Sequence, residues 1–130
     1  MGLFNPGEMH RIGYAYWQNG DKEEADNWIN QQRKLCEESI KIGRDYLGSY
    51  YDLAAVCSFF GEKAKAFENL RLFNKFQIVP LWCLTLIKND PLFNNIRNEQ
   101  EFKKIVKDAE SKYQAEHERV RKWLEEQGMH

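Results

Sequence analysis

Residues 50–70 read YYDLAAVCSFFGEKAKAFENL, and two apolar periodicities meet there at a single glycine. Leu53, Val56, Cys57 and Phe60 recur at helical three- and four-residue intervals, and Ala66, Phe67 and Leu70 do the same further on. Gly61 lies between the two runs. A glycine takes a positive-φ turn at no steric cost, so this position predicts the close of one helix before the next begins. The small side chains of Ala54, Ala55 and Ala66 let two antiparallel helices approach closely. The stretch therefore predicts a helical hairpin.

A second copy precedes it. Residues 12–29, IGYAYWQNGDKEEADNWI, superpose on residues 53–70 without a gap. Ile12 pairs with Leu53, Gly13 with Ala54, Tyr16 with Cys57, Gly20 with Gly61, Ala25 with Ala66 and Ile29 with Leu70. This order of large, small, aromatic, turn glycine, alanine and large residues resembles the tetratricopeptide repeat. Gly13, Tyr16, Gly20 and Ala25 match the family pattern in the first copy, whereas Ala54 and Cys57 depart from it in the second. The two turn glycines are 41 residues apart, longer than the roughly 34-residue family period. The resemblance covers residues 9–73 and implies an all-α fold, with tetratricopeptide-like hairpins at about 9–42 and 49–76.

Length and composition agree with one domain spanning residues 1–130. Hydrophobic residues make up 42% and charged residues 30%, a globular balance rather than a disordered one. The net charge of −1 gives the chain no electrostatic footprint for nucleic acid or an anionic membrane. Cys36, Cys57 and Cys83 each fall on an apolar stripe without metal-ligand spacing, which predicts buried thiols in a reducing compartment. The opening MGLFNPGEMH lacks the basic region and apolar core of a secretory leader. Residues 78–87 form the longest apolar run and contain Pro80, well short of the ~20 residues of a membrane helix. The expected location is the cytoplasm.

The first helix is expected over residues 6–19. Asp21 with Glu24 forms a capping box for a long second helix that ends within residues 43–48. Ser49 is the expected N-cap of the third. After the second hairpin, Pro80 interrupts the helical pattern and residues 81–88 form a short apolar helix. Asp90-Pro91 is a helix-start signal, and a brief helix with Leu92, Phe93 and Ile96 follows. The block LIKNDPLFNNIRNEQEF, residues 86–102, resembles a segment that closes repeat arrays in bacterial regulatory proteins, so residues 81–97 are expected to cap the array. Asn98 with Glu101 predicts the start of a last helix over residues 99–127, roughly 40 Å long at about 1.5 Å per residue. Its apolar face thins after Tyr113 and returns at Val120, Trp123 and Leu124. That second half either projects and buries Trp123 against another chain or folds back on its own hairpins.

No catalytic constellation is visible. His10, His117 and His130 lie in separate segments, without a zinc-binding spacing, a phosphate loop or a nucleophile elbow alongside them. The expectation is a non-enzyme with no cofactor and no metal. What remains is a surface. In tetratricopeptide folds the first helix of each pair lines a concave groove that takes an extended peptide or a partner's helix. By resemblance, the groove-facing residues are His10, Tyr14, Trp17 and Gln18, then Tyr51, Asp52, Ala55, Ser58 and Phe59. Aromatics serve there as binding anchors; alternatively Tyr14, Trp17 and Phe59 pack on the neighbouring hairpin or on Trp82. The family's carboxylate clamp is not expected, since His10 and Tyr14 replace the needed lysine and asparagine and Asp52 repels an anion. The stabilising core is expected at Ile12, Tyr16, Ala25, Leu53 and Leu70.

Two repeats seldom stand alone, and the first hairpin offers an uncapped face. The expected function is a non-catalytic protein–protein interaction module, the C-terminal part of a larger bacterial regulatory protein. The alternative is homo-oligomerisation, with Val120, Trp123 and Leu124 buried against a second copy. A small ligand in the aromatic pocket is a third reading; Arg11 is the one basic residue among the expected groove positions able to hold an anion.

Overall fold

The computed structural model describes residues 8–44 and 46–128. All of the secondary structure among them is helical: α1 (Met9–Gln18), α2 (Lys22–Lys41), α3 (Leu47–Phe59), α4 (Lys63–Phe73), α5 (Leu81–Ile87), a 3-10 turn (Pro91–Phe93) and α6 (Gln100–Glu126). The expected start of the first helix at Pro6 lies outside the described residues.

α1 packs on α2, α3 on α4, and α2 bridges to α3, so the two hairpins form one stack. Both turns are made as the glycines predict. Gly20 and Gly61 take φ of +85° and +76°, and a Cβ at either would touch nothing within 4 Å. The requirement there is conformational, not spatial. Gly13 is the opposite case: a Cβ would lie 2.5 Å from Ile29 Cγ1 and 2.9 Å from the Ala25 carbonyl oxygen, so α1 sits on α2 through a missing side chain. Asp21 caps α2, its Oδ1 accepting from the Glu24 N–H at 3.2 Å.

Two expected caps are elsewhere. α2 ends at Lys41, with Gly43 at φ +86°, and α3 begins at Leu47 after an extended Tyr46, so Ser49 is a buried residue of the first turn. Gly48 lies inside α3 because the Tyr46 ring occupies the space of a Cβ there. α6 starts after Glu99 rather than Asn98, and no side chain caps it. Asp90 does cap its neighbour, accepting from Leu92 N–H at 3.1 Å, though the element it opens is a single 3-10 turn.

The core is centred on α3. Tyr51 is fully buried, with ring centroids of Phe73, Trp82 and Phe93 at 5.8, 5.6 and 5.2 Å. Phe93 passes the contact on to Phe102 of α6 at 5.3 Å. Ion pairs fasten the outside: Arg33 grips Glu62 through two bonds of 3.1 and 2.7 Å, and Arg71 grips Glu101 at 2.6 and 2.7 Å.

The expected core holds at Ala25, Leu53 and Leu70, all buried, but not at Tyr16, which is 37% exposed, and only partly at Ile12. The 41-residue register explains the difference. Cys57 and Leu53, the counterparts of Tyr16 and Ile12, border a pocket whose other wall is Arg33 and Ile40 of α2, the helix before them. On α1 the equivalent face includes Tyr16, which is exposed.

The last helix divides at Tyr113. Up to Lys112 it is tied to the body: Lys88 pairs with Glu110 at 3.4 Å, Asn74 donates to Asp108 at 3.0 Å, and Lys112 donates to the Asn74 carbonyl. Beyond it the ion pairs run along the helix itself, Arg119 to Glu116 and Arg121 to both Glu118 and Glu125. Val120, Trp123 and Leu124 are exposed.

Candidate functional site

The face of α1 and α3 expected to form a groove is for the most part filled by the chain itself. Residues 90–97 lie across α3. The Tyr51 hydroxyl donates to Asp90 Oδ2 at 2.9 Å, and the Asn95 amide donates to the Ser58 carbonyl oxygen at 2.8 Å. Arg11 of α1 reaches the same Asp90 Oδ2 at 3.2 Å. Arg97 closes the segment on itself, donating to the carbonyls of Ile87, Lys88 and Asp90.

Tyr51, Ala55 and Ser58 are therefore buried beneath the cap and are not groove surface. His10 is fully buried too, its Nε2 3.3 Å from Asp52 Oδ1. Asp52 is half-buried against it. These positions satisfy the repeat pattern, but the segment after Pro80 and the adjacent hairpin cover them. Burial, followed by the charge of Asp90, raises the Tyr51 phenol far above its ordinary range. Burial opposes the Arg11 charge, and Asp90 more than offsets it, leaving the guanidinium above its usual value. This is a structural clamp joining α1, α3 and the cap. Sequence reading missed its extent, since Asp90-Pro91 reads as a local start signal and nothing local to it names Tyr51 or Arg11 as partners.

What stays open lies at the turn-glycine end of the stack. Trp17 is 48% exposed, Tyr14 and Phe59 are half-buried, and Gln18 is exposed. The Trp17 ring is 5.5 Å from Tyr14 and 5.7 Å from Phe59, the latter edge-on, and Tyr14 meets Phe59 at 6.5 Å. Helical spacing puts Tyr14 and Trp17 one turn apart on α1, and Phe59 faces them from the end of α3. The three rings border a cleft of about 480 Å³. Its other walls are Phe60, Pro91 and Leu92, the amides of Asn94 and Asn95, and Lys22 with Asp26 from the start of α2. So Tyr14, Trp17 and Phe59 come together and pack on one another across the hairpins, with Trp17 half-exposed.

Lys22, Asp26, Asn94 and Asn95 were not legible as site residues, because tertiary closure alone brings α2 and the cap to one rim. Phe60 was readable only as a hairpin core residue.

Reactive groups are muted elsewhere. Burial pushes the thiols of Cys36 and Cys83 up to about 12 and raises that of Cys57, so all three are protonated at neutral pH. Among the described residues no group of three or more His, Cys, Asp or Glu is placed to hold a metal ion. None of the described helices is long and apolar enough to cross a membrane. Other exposed apolar side chains include Ile78, Leu81 and Trp82 beside Pro80. No family model, no curated protein and no solved structure matches the chain.

Proposed function

We propose that this domain is a non-catalytic protein–protein interaction module of tetratricopeptide-like build, which takes a peptide or a partner's helix in the cleft beside Trp17. The observation that carries the reading is the half-exposed Trp17 ring at the mouth of a cleft of about 480 Å³, braced by Tyr14 and Phe59. A large ring already held by its neighbours loses little rotamer freedom on binding and buries much apolar area, which is what an interface anchor needs. Asn94, Asn95, Lys22 and Asp26 supply the polar rim that fixes orientation. The resemblance of residues 86–102 to array-closing segments supports a place near the end of a larger cytoplasmic regulatory protein in a bacterium.

The test is quantitative capture from an extract of the source cell, with the wild type and Trp17→Ala side by side. The expected result is a partner held by the wild type and lost with Trp17→Ala, while circular dichroism shows the helices intact. Identical captured sets would contradict the reading. A second reading, self-association, is favoured by one specific observation: Val120, Trp123 and Leu124 form an exposed apolar stripe on the outer half of α6.

A further inference from the structure

The outer half of α6 and the Trp17 cleft each expose aromatic and apolar side chains flanked by one lysine and one carboxylate. From Gln114 to Glu126 the helix extends roughly 20 Å at about 1.5 Å per residue, and its tip carries Val120, Trp123 and Leu124 at i, i+3 and i+4. Trp123 is 50% exposed. Such a stripe is the usual form of a helix that lays its apolar face in a groove.

The charges make the match specific. On the rim of the cleft, Lys22 and Asp26 lie one turn apart in α2. On the Trp123 flank of the tip, Lys122 and Glu126 also lie one turn apart. Glu116, Glu118 and Glu125 are engaged by Arg119 and Arg121 along the helix. Lys22, Asp26, Lys122 and Glu126 make no ion pair within 4 Å among the described residues. Laid antiparallel, the two helices bring Glu126 opposite Lys22 and Lys122 opposite Asp26 in one register.

The helix ends reinforce it. Lys22 is a cation at the positive end of α2, and Glu126 is an anion at the negative end of α6, where the last turn holds no basic residue. Each charge is opposed by its own helix dipole and favoured by that of the other.

We infer that the cleft beside Trp17 takes the α6 tip of a second copy of this chain, with Trp123 seated on the Tyr14, Trp17 and Phe59 rings. The inference rests on the reading of the cleft as a helix-binding surface and names its occupant. A two-fold pair in which each copy fills the other's cleft makes the contact twice, and doubling a small contact moves it toward the area of a stable interface.

Sedimentation velocity at low ionic strength, from about 1 μM to about 1 mM protein, tests it. The wild type is expected to grow in mass with concentration. Trp17→Ala and Trp123→Ala alter the cleft and the tip respectively, and each is expected to weaken association by about 30-fold or more. An equimolar mixture of the two regains part of the association, because in the mixed pair one contact joins an intact tip to an intact cleft while the other is altered on both sides. Lys22→Glu weakens it about 2- to 5-fold, and Glu126→Lys in the same chain restores it. A wild type that stays monomeric throughout, an assembly indifferent to Trp17→Ala, or a mixture that stays monomeric would overturn the inference. A monomeric wild type would leave partner capture at the cleft standing, whereas capture indifferent to Trp17→Ala would remove the cleft reading itself.

Discussion

Asp90 ties α1, α3 and the segment after Pro80 together: its buried carboxylate accepts from Leu92 N–H and the Tyr51 hydroxyl and faces Arg11, and its carbonyl accepts from Arg97. Tyr51→Phe removes one of these donors and leaves the carboxylate buried. The expected cost is about 1–3 kcal/mol in urea unfolding, with no change in helix content. Glu62 behaves differently because it touches solvent. Its hydrogen bonds to Arg33 hold the carboxyl below its ordinary value. The folded value lies below the unfolded one, so the contribution of the pair is complete above about 4.3, the unfolded range. It is lost as pH falls through the depressed folded value. The advantage of wild type over Glu62→Gln is therefore expected to shrink between about pH 6 and about pH 3. Screening limits the change to about 1 kcal/mol or less. A difference constant across that range, read from urea midpoints, would contradict the assignment.

At the scale of elements, local signals are legible where the chain decides locally. Gly20 and Gly61 turn the chain at positive φ, and the Asp21–Glu24 box opens α2. Gly61→Ala is expected to cost about 1–2 kcal/mol through backbone strain alone, since its Cβ would meet open space. Gly13→Ala is expected to cost about 1–3 kcal/mol for the opposite reason, crowding against Ile29 and the Ala25 carbonyl. Thermal unfolding of the two variants with Ile29→Ala added separates the causes: the larger space recovers part of the Gly13→Ala cost, the contact with the Ala25 carbonyl remaining, and does nothing for Gly61→Ala. The expected caps at Ser49 and Asn98 are not where α3 and α6 begin, and neither helix has a side-chain cap. The Tyr46 ring lies over Gly48 in the first turn of α3, and Lys63 holds Glu99 at 2.9 Å beside the start of α6. The α6 tip tests a further point. Residues beyond Tyr113 are mostly exposed and their ion pairs are internal to the helix. Ending the chain after Tyr113 is expected to leave the urea midpoint of the remaining domain nearly unchanged.

For the whole molecule, the hairpin pair was readable from the 41-residue self-similarity, and the covering of its α1–α3 face was not. Periodicity tells which side of α3 is apolar or aromatic, but not that residues 90–97 return to lie on it. That is why Tyr51, read as a groove anchor, is the centre of the core, and why His10 is interior. Among the described residues, the part of the face that stays open is at Tyr14, Trp17 and Phe59, and there two segments distant in sequence complete the rim of the cleft. The central claim is that this remaining aromatic surface serves binding and not folding. Equilibrium urea unfolding of wild type, Leu70→Ala and Trp17→Ala compares the two roles directly. Leu70 is fully buried in the core, and its truncation is expected to cost about 2–5 kcal/mol, a large share of a domain's roughly 5–15 kcal/mol. Trp17→Ala is expected to cost under about 2 kcal/mol, since half of the ring is already in water and its neighbours brace one another. A Trp17→Ala protein as unstable as Leu70→Ala would make Trp17 a core residue and contradict the account.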